Sequence, residues 1–358
     1  MLEAPRQLVE CELPLPEIGD DDGLLRVEAC GLCGTDHEQY TGELFGGFAF
    51  VPGHEIVGTV EAVGATAAAR WGVTTGDRVA VEVFQSCGSC APCIAGESRR
   101  CARHGLRDMY GFVAVDTAPG LWGGYAEHVY LAPDAQLIKV PDGLDPVVAT
   151  LFNPLGAGIR WAVTVPDTQP GAVAAVLGPG IRGLSAVVAL RDRGARFVMV
   201  TGAGPQDAER LEMARALGAD LAVDVIEQDP VRALRDATGV LADVVVDVTA
   251  KAPTALGQAI ALARLGGTVV LAGTRGSDAT PGFHPDHLVF KELRIFGALG
   301  VDVVAYRAAF ELLARPDFAL AGIDHATASL PDAENLIRAM AGETDGRRPM
   351  HGVVVPNA

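Results

Sequence analysis

Residues 172–190 read AVAAVLGPGIRGLSAVVAL. A short apolar run rich in β-branched residues reaches Gly178, and an apolar stretch of helical character follows Gly183. Gly178, Gly180 and Gly183 form GxGxxG between them. The motif alone is weak, but a buried strand before it and an apolar helix after it make it a dinucleotide-binding turn. Gly178 permits the tight turn, Gly180 lets backbone amides approach a pyrophosphate, and Gly183 lets helix and strand pack closely. The helix start, with Ile181 and Arg182, adds partial positive charge for the phosphates. A turn of purely structural purpose is the plain alternative.

Working outward, the downstream sequence keeps a strand–helix rhythm: RFVMVTG, AERLEMARALGAD, LAVDV, ADVVVDVTA, APTALGQAIALARLGG and TVVLAG. Such alternation predicts a parallel sheet wound by βαβ units. In ALARLGGTVVLAG the helix is expected to stop at the glycines, with the next strand starting after them. Upstream, to about Thr150, the texture is different. LLRVEAC, EIVGTVEAVG, DRVAVEVF and YAEHVYL are short strands separated by turn residues, as in an irregular all-β domain. After about Phe296 the pattern loosens, and the tail is expected to return to the first domain.

The choice between NAD and NADP rests on the second strand's end, where an acid ordinarily holds the ribose hydroxyls. Thr201 and Gly202 stand there, and the nearest acid is Asp207. Asp207 either loops back to the ribose or caps the following helix. Between the strand end at Thr201 and Arg210 there is no Arg or Lys to attract a 2′-phosphate. NAD is the expected cofactor. Arg182 is expected either to reach the phosphates or carboxamide, or an acid of the other domain, or to turn into solvent.

The run CGSCAPCIAGESRRC holds Cys87, Cys90, Cys93 and Cys101. Two-residue gaps keep three thiolates within reach of one ion, and the longer loop brings the fourth round. Four thiolates leave no open position, so the set predicts a structural zinc. Two disulfides are the alternative, suited to a small secreted domain rather than a 358-residue chain that is 49% hydrophobic. The opening MLEAPRQLVECELPLP lacks the pattern of a signal peptide, and no apolar run reaches a membrane span. A soluble cytoplasmic protein with no membrane partner is expected. A net charge of −17 excludes nucleic acid as a partner, because phosphates require a basic face. Asp20, Asp21 and Asp22 read as a solvated turn.

The first domain carries a second ligand-like set: Cys33 in GLCGTDHEQY, and His54 with Glu55 in VPGHEIVG. GLCGTD, PGHEIVGTVEAVG, GDRV, the four-cysteine run, GGYAEHV and VLGPGIRGL follow one another in an order similar to that of zinc-dependent medium-chain alcohol dehydrogenases. The resemblance spans nearly the whole chain and is nearest to the sorbitol and polyol branch. It implies an α/β chain with a GroES-like catalytic domain over 1–152, including a structural zinc lobe over 86–102. A Rossmann domain would cover 153–297, and 298–358 would return to the catalytic domain, with the active site in the cleft between the two.

By that resemblance Cys33 and His54 are catalytic zinc ligands, and Glu55 either joins them or sits just behind. The third family ligand usually comes from the segment matching TLFNPLGAG, where this chain has Asn153 before Pro154. A neutral amide is a poor substitute for a carboxylate at a dication. Asn153 would instead hold a water, or the site would be empty. Asp36 matches the acid that orients the histidine, or is a simple turn aspartate. Thr35 matches the hydroxyl that passes on the alcohol proton. Glu38 stands where many relatives have a distal histidine, with His37 just before it. His284 and His287 read as exposed loop residues, and His104, His128, His325 and His351 as structural or exposed.

The activity implied is interconversion of an alcohol and a ketone or aldehyde by hydride transfer with NAD(P), with two zinc ions per chain. Two rival readings are a zinc-free reductase of the same fold acting on an activated double bond or quinone, and a non-catalytic nucleotide-binding redox sensor. The loop EQYTGELFGGFAF suits an apolar or cyclic secondary alcohol as readily as a sugar. Family habit implies a homodimer or homotetramer.

Overall fold

The computed structural model describes residues 1–44, 47–275, 280–281 and 283–357. Phe45 and Gly46 of the expected substrate loop lie outside the described residues. The chain forms two compact units, Met1–Asn153 together with Asp302–Ala358, and Pro154–Val301.

The first unit is built on a seven-stranded sheet. Its order runs His325–Ala328, His351–Val354, Gly23–Leu32, Glu55–Val63, Arg78–Val81 and Leu137–Lys139, and His128–Leu131 also pairs with Gly23–Leu32. The first pair is parallel and the rest are antiparallel. Strand Gly23–Leu32 is apolar except at Arg26 and Glu28, and Leu25, Val27, Ala29 and Cys30 are fully buried beside Ile56, Val60, Val79 and Val129. Each buried Leu, Ile or Val among them contributes about 1.5–3 kcal/mol by leaving water. The antiparallel register sets Gly31 opposite Glu55. Cys33, just after one strand, and His54, just before the next, therefore come to the same end of the sheet.

Asp20, Asp21 and Asp22 do more than solvate a turn. Asp20 accepts from the Thr66 hydroxyl and from the amides of Ala65 and Thr66, bracing the start of helix Ala65–Trp71. Asp21 pairs with Arg70, and Asp22 accepts from the Tyr130 hydroxyl at 2.8 Å.

The second unit holds a six-stranded, wholly parallel sheet. Its order is Leu221–Asp224, Phe197–Gly202, Val173–Leu177, Ala242–Asp247, Ala263–Leu271, Arg294–Gly297. Numbered along the chain that order is 3-2-1-4-5-6, the doubly wound arrangement that binds dinucleotides where the strand order reverses. The reversal lies between Val173–Leu177 and Ala242–Asp247, so the turn at Gly178 is at that point. Gly178 has φ +100°, and a Cβ on Gly183 would come within 1.9 Å of the Gly178 carbonyl oxygen.

One sequence expectation fails in this unit. The helix before TVVLAG ends at Leu262, and the strand already starts at Ala263, with Gly266 and Gly267 inside it. Pairing with Ala242–Asp247 shifts register between Ala242 and Val244, and Gly266 takes φ +69°. The two glycines serve an irregular strand; they do not end the helix.

Candidate functional site

At the shared sheet end of the first unit, Cys33, His54 and Glu55 are all buried, and one ligand atom from each lies within 4.8 Å of the others. The Cys33 Sγ is 3.3 Å from His54 Nε2. Asp36 is the third residue of helix Gly34–Thr41, and its Oδ2 accepts from the Cys33 amide at 2.8 Å, a reciprocal cap that fixes the helix start. Asp36 Oδ1 lies 3.8 Å from His54 Nδ1. Both atoms are buried and neither has a hydrogen-bond partner. Asp36 thus stabilises the turn and also faces the histidine. Such orphaned atoms fit a metal site: an ion on Nε2 requires the proton on Nδ1, which then points at the carboxylate.

Thr35 is half-buried on the same helix. Glu38 lies one turn further, its carbonyl accepting from the amides of Glu43 and Leu44. His37 is held by Glu343, with Nε2 to Oε1 at 2.7 Å. Asn153 is buried, and its amide donates to the Tyr306 hydroxyl at 2.8 Å. Tyr306 packs edge-on against Phe152, ring centroids 4.7 Å apart. Nothing local in the sequence marked Tyr306 as that partner.

Cys87, Cys90, Cys93 and Cys101 gather with all four sulfurs within 4.8 Å of one another. The Ser89 hydroxyl, followed by the Ser89 and Cys90 amides, holds the Cys87 thiol down at about 5. Burial pushes the Cys93 thiol up to about 11. A nest of thiols that stabilises one thiolate and resists another suits a shared cation.

In the second unit, helix Ile181–Asp192 begins after Gly180 with no side-chain cap, which leaves its first amides to an anion. Gly178 donates to the Thr201 carbonyl at 3.0 Å. Thr201 is buried and Gly202 follows it at the strand end. Asp207 does not cap the next helix; its Oδ2 accepts from the Ala203 amide at 2.9 Å. Asp224, from the neighbouring strand, accepts from the Gly204 amide at 2.9 Å. Arg182 lies over the ring of Trp161. Across the strand-order reversal, Asp247 is fully buried, accepts from the Thr249 hydroxyl at 2.6 Å, and pairs with Arg275.

Among the remaining histidines, His284 and His287 are exposed. His104 bridges Asp108 and Asp134, and His128 meets Glu61. His325 and His351 face each other with their Nδ1 atoms 2.9 Å apart, and His351 is fully buried. Strand pairing between residues 26 positions apart creates that pair, and local spacing gives no sign of it.

A unit with a buried cysteine–histidine–glutamate cluster and a thiolate lobe, in a chain whose second unit is a doubly wound sheet, defines a metal-dependent dehydrogenase. Comparison with known proteins agrees. Residues 19–142 match the family described as Alcohol dehydrogenase GroES-like domain, and 183–315 match Zinc-binding dehydrogenase. A probable alcohol dehydrogenase of Mycobacterium tuberculosis is 66% identical over 357 residues, covering 99% of this chain and 97% of that one. Sorbitol dehydrogenase of Bacillus subtilis is 33% identical over 292 residues, 80% of this chain and 77% of that one. A structure of the zinc-binding dehydrogenase class from Sinorhizobium meliloti, solved bound to NADP, superposes with TM-score 0.83 at 29% identity, covering 99% and 98% of the two chains. The chain belongs to the zinc-dependent medium-chain alcohol dehydrogenases. It is an oxidoreductase that interconverts alcohols and carbonyl compounds with a nicotinamide cofactor, and its substrates are small molecules. Among the described residues no helix is long and apolar enough to cross a membrane.

Proposed function

We propose that Cys33, His54 and Glu55 hold the catalytic zinc, and that Cys87, Cys90, Cys93 and Cys101 hold a second, structural one. The observation that carries the first assignment is the buried approach of Cys33 Sγ to His54 Nε2 at 3.3 Å, with Glu55 alongside. Two anionic ligands and one neutral imidazole balance a dication and leave a coordination position for substrate. Zinc there supplies Lewis-acid polarisation of the alcohol or carbonyl oxygen, and the nicotinamide supplies the hydride acceptor or donor.

The chain's own residues do the rest. Asp36 accepts a hydrogen bond from His54 Nδ1–H and keeps Nε2 available as a ligand. Thr35 carries the alcohol proton away from the site. Gly178, Gly180 and Gly183, with the amides of the helix start, hold the pyrophosphate. Asn153 directs its amide to Tyr306 and is not a ligand. The catalytic domain corresponds to Met1–Asn153 with Asp302–Ala358, and the nucleotide domain to Pro154–Val301.

NAD is the preferred cofactor, by less than about a hundredfold in kcat/KM, which is about 2.7 kcal/mol. Asp207 and Asp224 make the strand end acidic, which disfavours a 2′-phosphate. Both are partly used on backbone amides, which limits their hold on a ribose. The substrate is a small secondary alcohol, and the setting is the cytoplasm, where thiols stay reduced. The chain works as a homodimer or homotetramer: the edge strand Arg294–Gly297 is flanked by exposed Val289, Phe290, Phe296 and Leu299, an apolar edge that needs a partner.

Metal analysis with kinetics tests the assignment. About two zinc ions per chain, with one lost together with turnover in Cys33→Ser, is the result expected. One zinc per chain, retained in Cys33→Ser, would instead support the zinc-free reductase.

A further inference from the structure

Among the described residues, the buried polar atoms without a hydrogen-bond partner include Asp36 Oδ1, His54 Nδ1 and the Tyr125 hydroxyl. The first two are accounted for by the metal reading above. The phenol is not. Tyr125 is 5% exposed, and nothing in the mechanism so far uses it.

Its place is fixed by backbone. Tyr125 donates its amide to the Pro52 carbonyl at 2.9 Å, and Gly124 donates to the Gly53 carbonyl at 2.8 Å. The ring lies on Gly53, where a Cβ would meet ring carbons at 2.6 and 2.9 Å. Tyr125 is therefore clamped onto the residue that precedes His54. The ionisable groups around it are Asp36, Cys30, Cys33 and Glu55, and burial above all keeps its hydroxyl protonated. A protonated phenol buried among carboxyl and thiol groups is a donor in search of an acceptor, and leaving it orphaned is costly.

The acceptor inventory is short. Asp36 Oδ2 already takes the Cys33 amide. Asp36 Oδ1 has two lone pairs, and a hydrogen bond from His54 Nδ1–H would fill only one of them. We propose that Tyr125 is a positioning residue whose hydroxyl donates to Asp36 Oδ1, beside His54 Nδ1–H, when zinc is bound by Cys33, His54 and Glu55. The phenol keeps the buried carboxylate aimed at the imidazole, so it acts on the metal through Asp36 and His54. This rests on the assignment of the metal to those three residues.

The test uses full-length protein and four forms: wild type, Tyr125→Phe, Asp36→Asn and the double variant. Zinc affinity of the weaker site is measured by chelator competition, with the visible spectrum of the cobalt(II) form recorded in parallel. Tyr125→Phe should weaken zinc binding by about tenfold, the scale of a lost outer partner, and change the cobalt spectrum. In the Asp36→Asn background the same change should add nothing, because its route to the metal is gone. The melting temperature of metal-free Tyr125→Phe should not fall, since the hydroxyl has no partner there. Unchanged affinity and spectrum in a two-zinc protein, a full additional loss in the double variant, or a lower metal-free melting temperature would each overturn the proposal. A wild-type chain that binds only one zinc would overturn the metal assignment first and this inference with it.

Discussion

Arg182 stacks on Trp161, its guanidinium carbon 5.2 Å from the ring centroid. The arginine sits in the first turn of the helix that opens the nucleotide site, and Trp161 in a π-helical turn at Arg160–Thr164. The Trp161 indole donates to the Gly300 carbonyl at 2.9 Å, so the stack rests on a fixed ring. Removing the guanidinium in Arg182→Ala should cost about 0.5–1 kcal/mol of stability. It should also weaken cofactor binding, because the helix start loses both a charge and its anchor. Tryptophan fluorescence titration with NAD reads the affinity and denaturant melts read the stability. Metal content should not change, and unchanged affinity would confine Arg182 to packing.

Gly202 occupies the position where a strand-end acid would hold the ribose. A Cβ there would come within 2.9 Å of the Asp207 Cβ, 3.1 Å of Pro179 and 3.2 Å of Leu211. Gly202→Asp should therefore not improve NAD selectivity. It should displace Asp207 or Pro179, lower the melting temperature and raise KM for both cofactors. Steady-state kinetics with NAD and NADP checks this, and a gain in NAD preference would refute it.

Glu82 is fully buried, and one of its carboxylate oxygens has no partner. Burial pushes its carboxyl from 4.5 up to about 8, with Asp302 adding to the rise and Arg99 opposing it. The folded chain therefore holds a proton between those values that the unfolded chain has released. Stability must fall as pH rises through that window. Glu82→Gln should flatten the slope, matching wild type near pH 5 and exceeding it by about 1–3 kcal/mol near pH 9. Thermal melts at the two pH values decide it. Equal slopes would mean that Glu82 is ionised in the fold.

Asn153 and Tyr306 should be coupled in stability and not in metal binding. Asn153→Ala removes the amide that donates to the Tyr306 hydroxyl and should cost about 0.5–1.5 kcal/mol. Zinc content should stay the same by atomic absorption. A loss of one zinc per chain would move Asn153 into the metal's surroundings.

Cys90→Ser or Cys93→Ser should each remove one zinc per chain and lower the melting temperature, because metal binding at a thiolate lobe is folding energy. Chelator should reproduce the effect on wild type. An unchanged melting temperature in both experiments would rule out a structural ion.

What the sequence made legible was local. Gly178, Gly180 and Gly183 lie within six positions, and the four lobe cysteines within fifteen, so spacing alone restricts their geometry. The family is shown by the whole chain's likeness to its relatives. What stayed hidden depends on segments that meet only in the folded chain. Asn153 reaches Tyr306 across 153 positions, and His37 reaches Glu343 across 306. Tyr125 meets Gly53 through a loop whose direction no periodicity reveals. Gly266 and Gly267 misled for a related reason: tertiary pairing drew the helix end into a strand despite glycine's preference for helix stops.

The order of the first unit's sheet has a consequence for how the chain is made. Strand His351–Val354 lies between His325–Ala328 and Gly23–Leu32, so the earliest long strand waits for nearly the whole chain. The second unit is continuous over Pro154–Val301 and needs nothing beyond it. On the ribosome, the nucleotide half can close first, while the Cys30–Leu32 end of strand Gly23–Leu32 still has an unfilled edge. Such an edge is open to wrong pairing during synthesis. The protein's exposure to aggregation is therefore greatest in the interval before residue 354 emerges, and slowing translation over the last fifty or so codons should raise the yield lost to inclusion bodies.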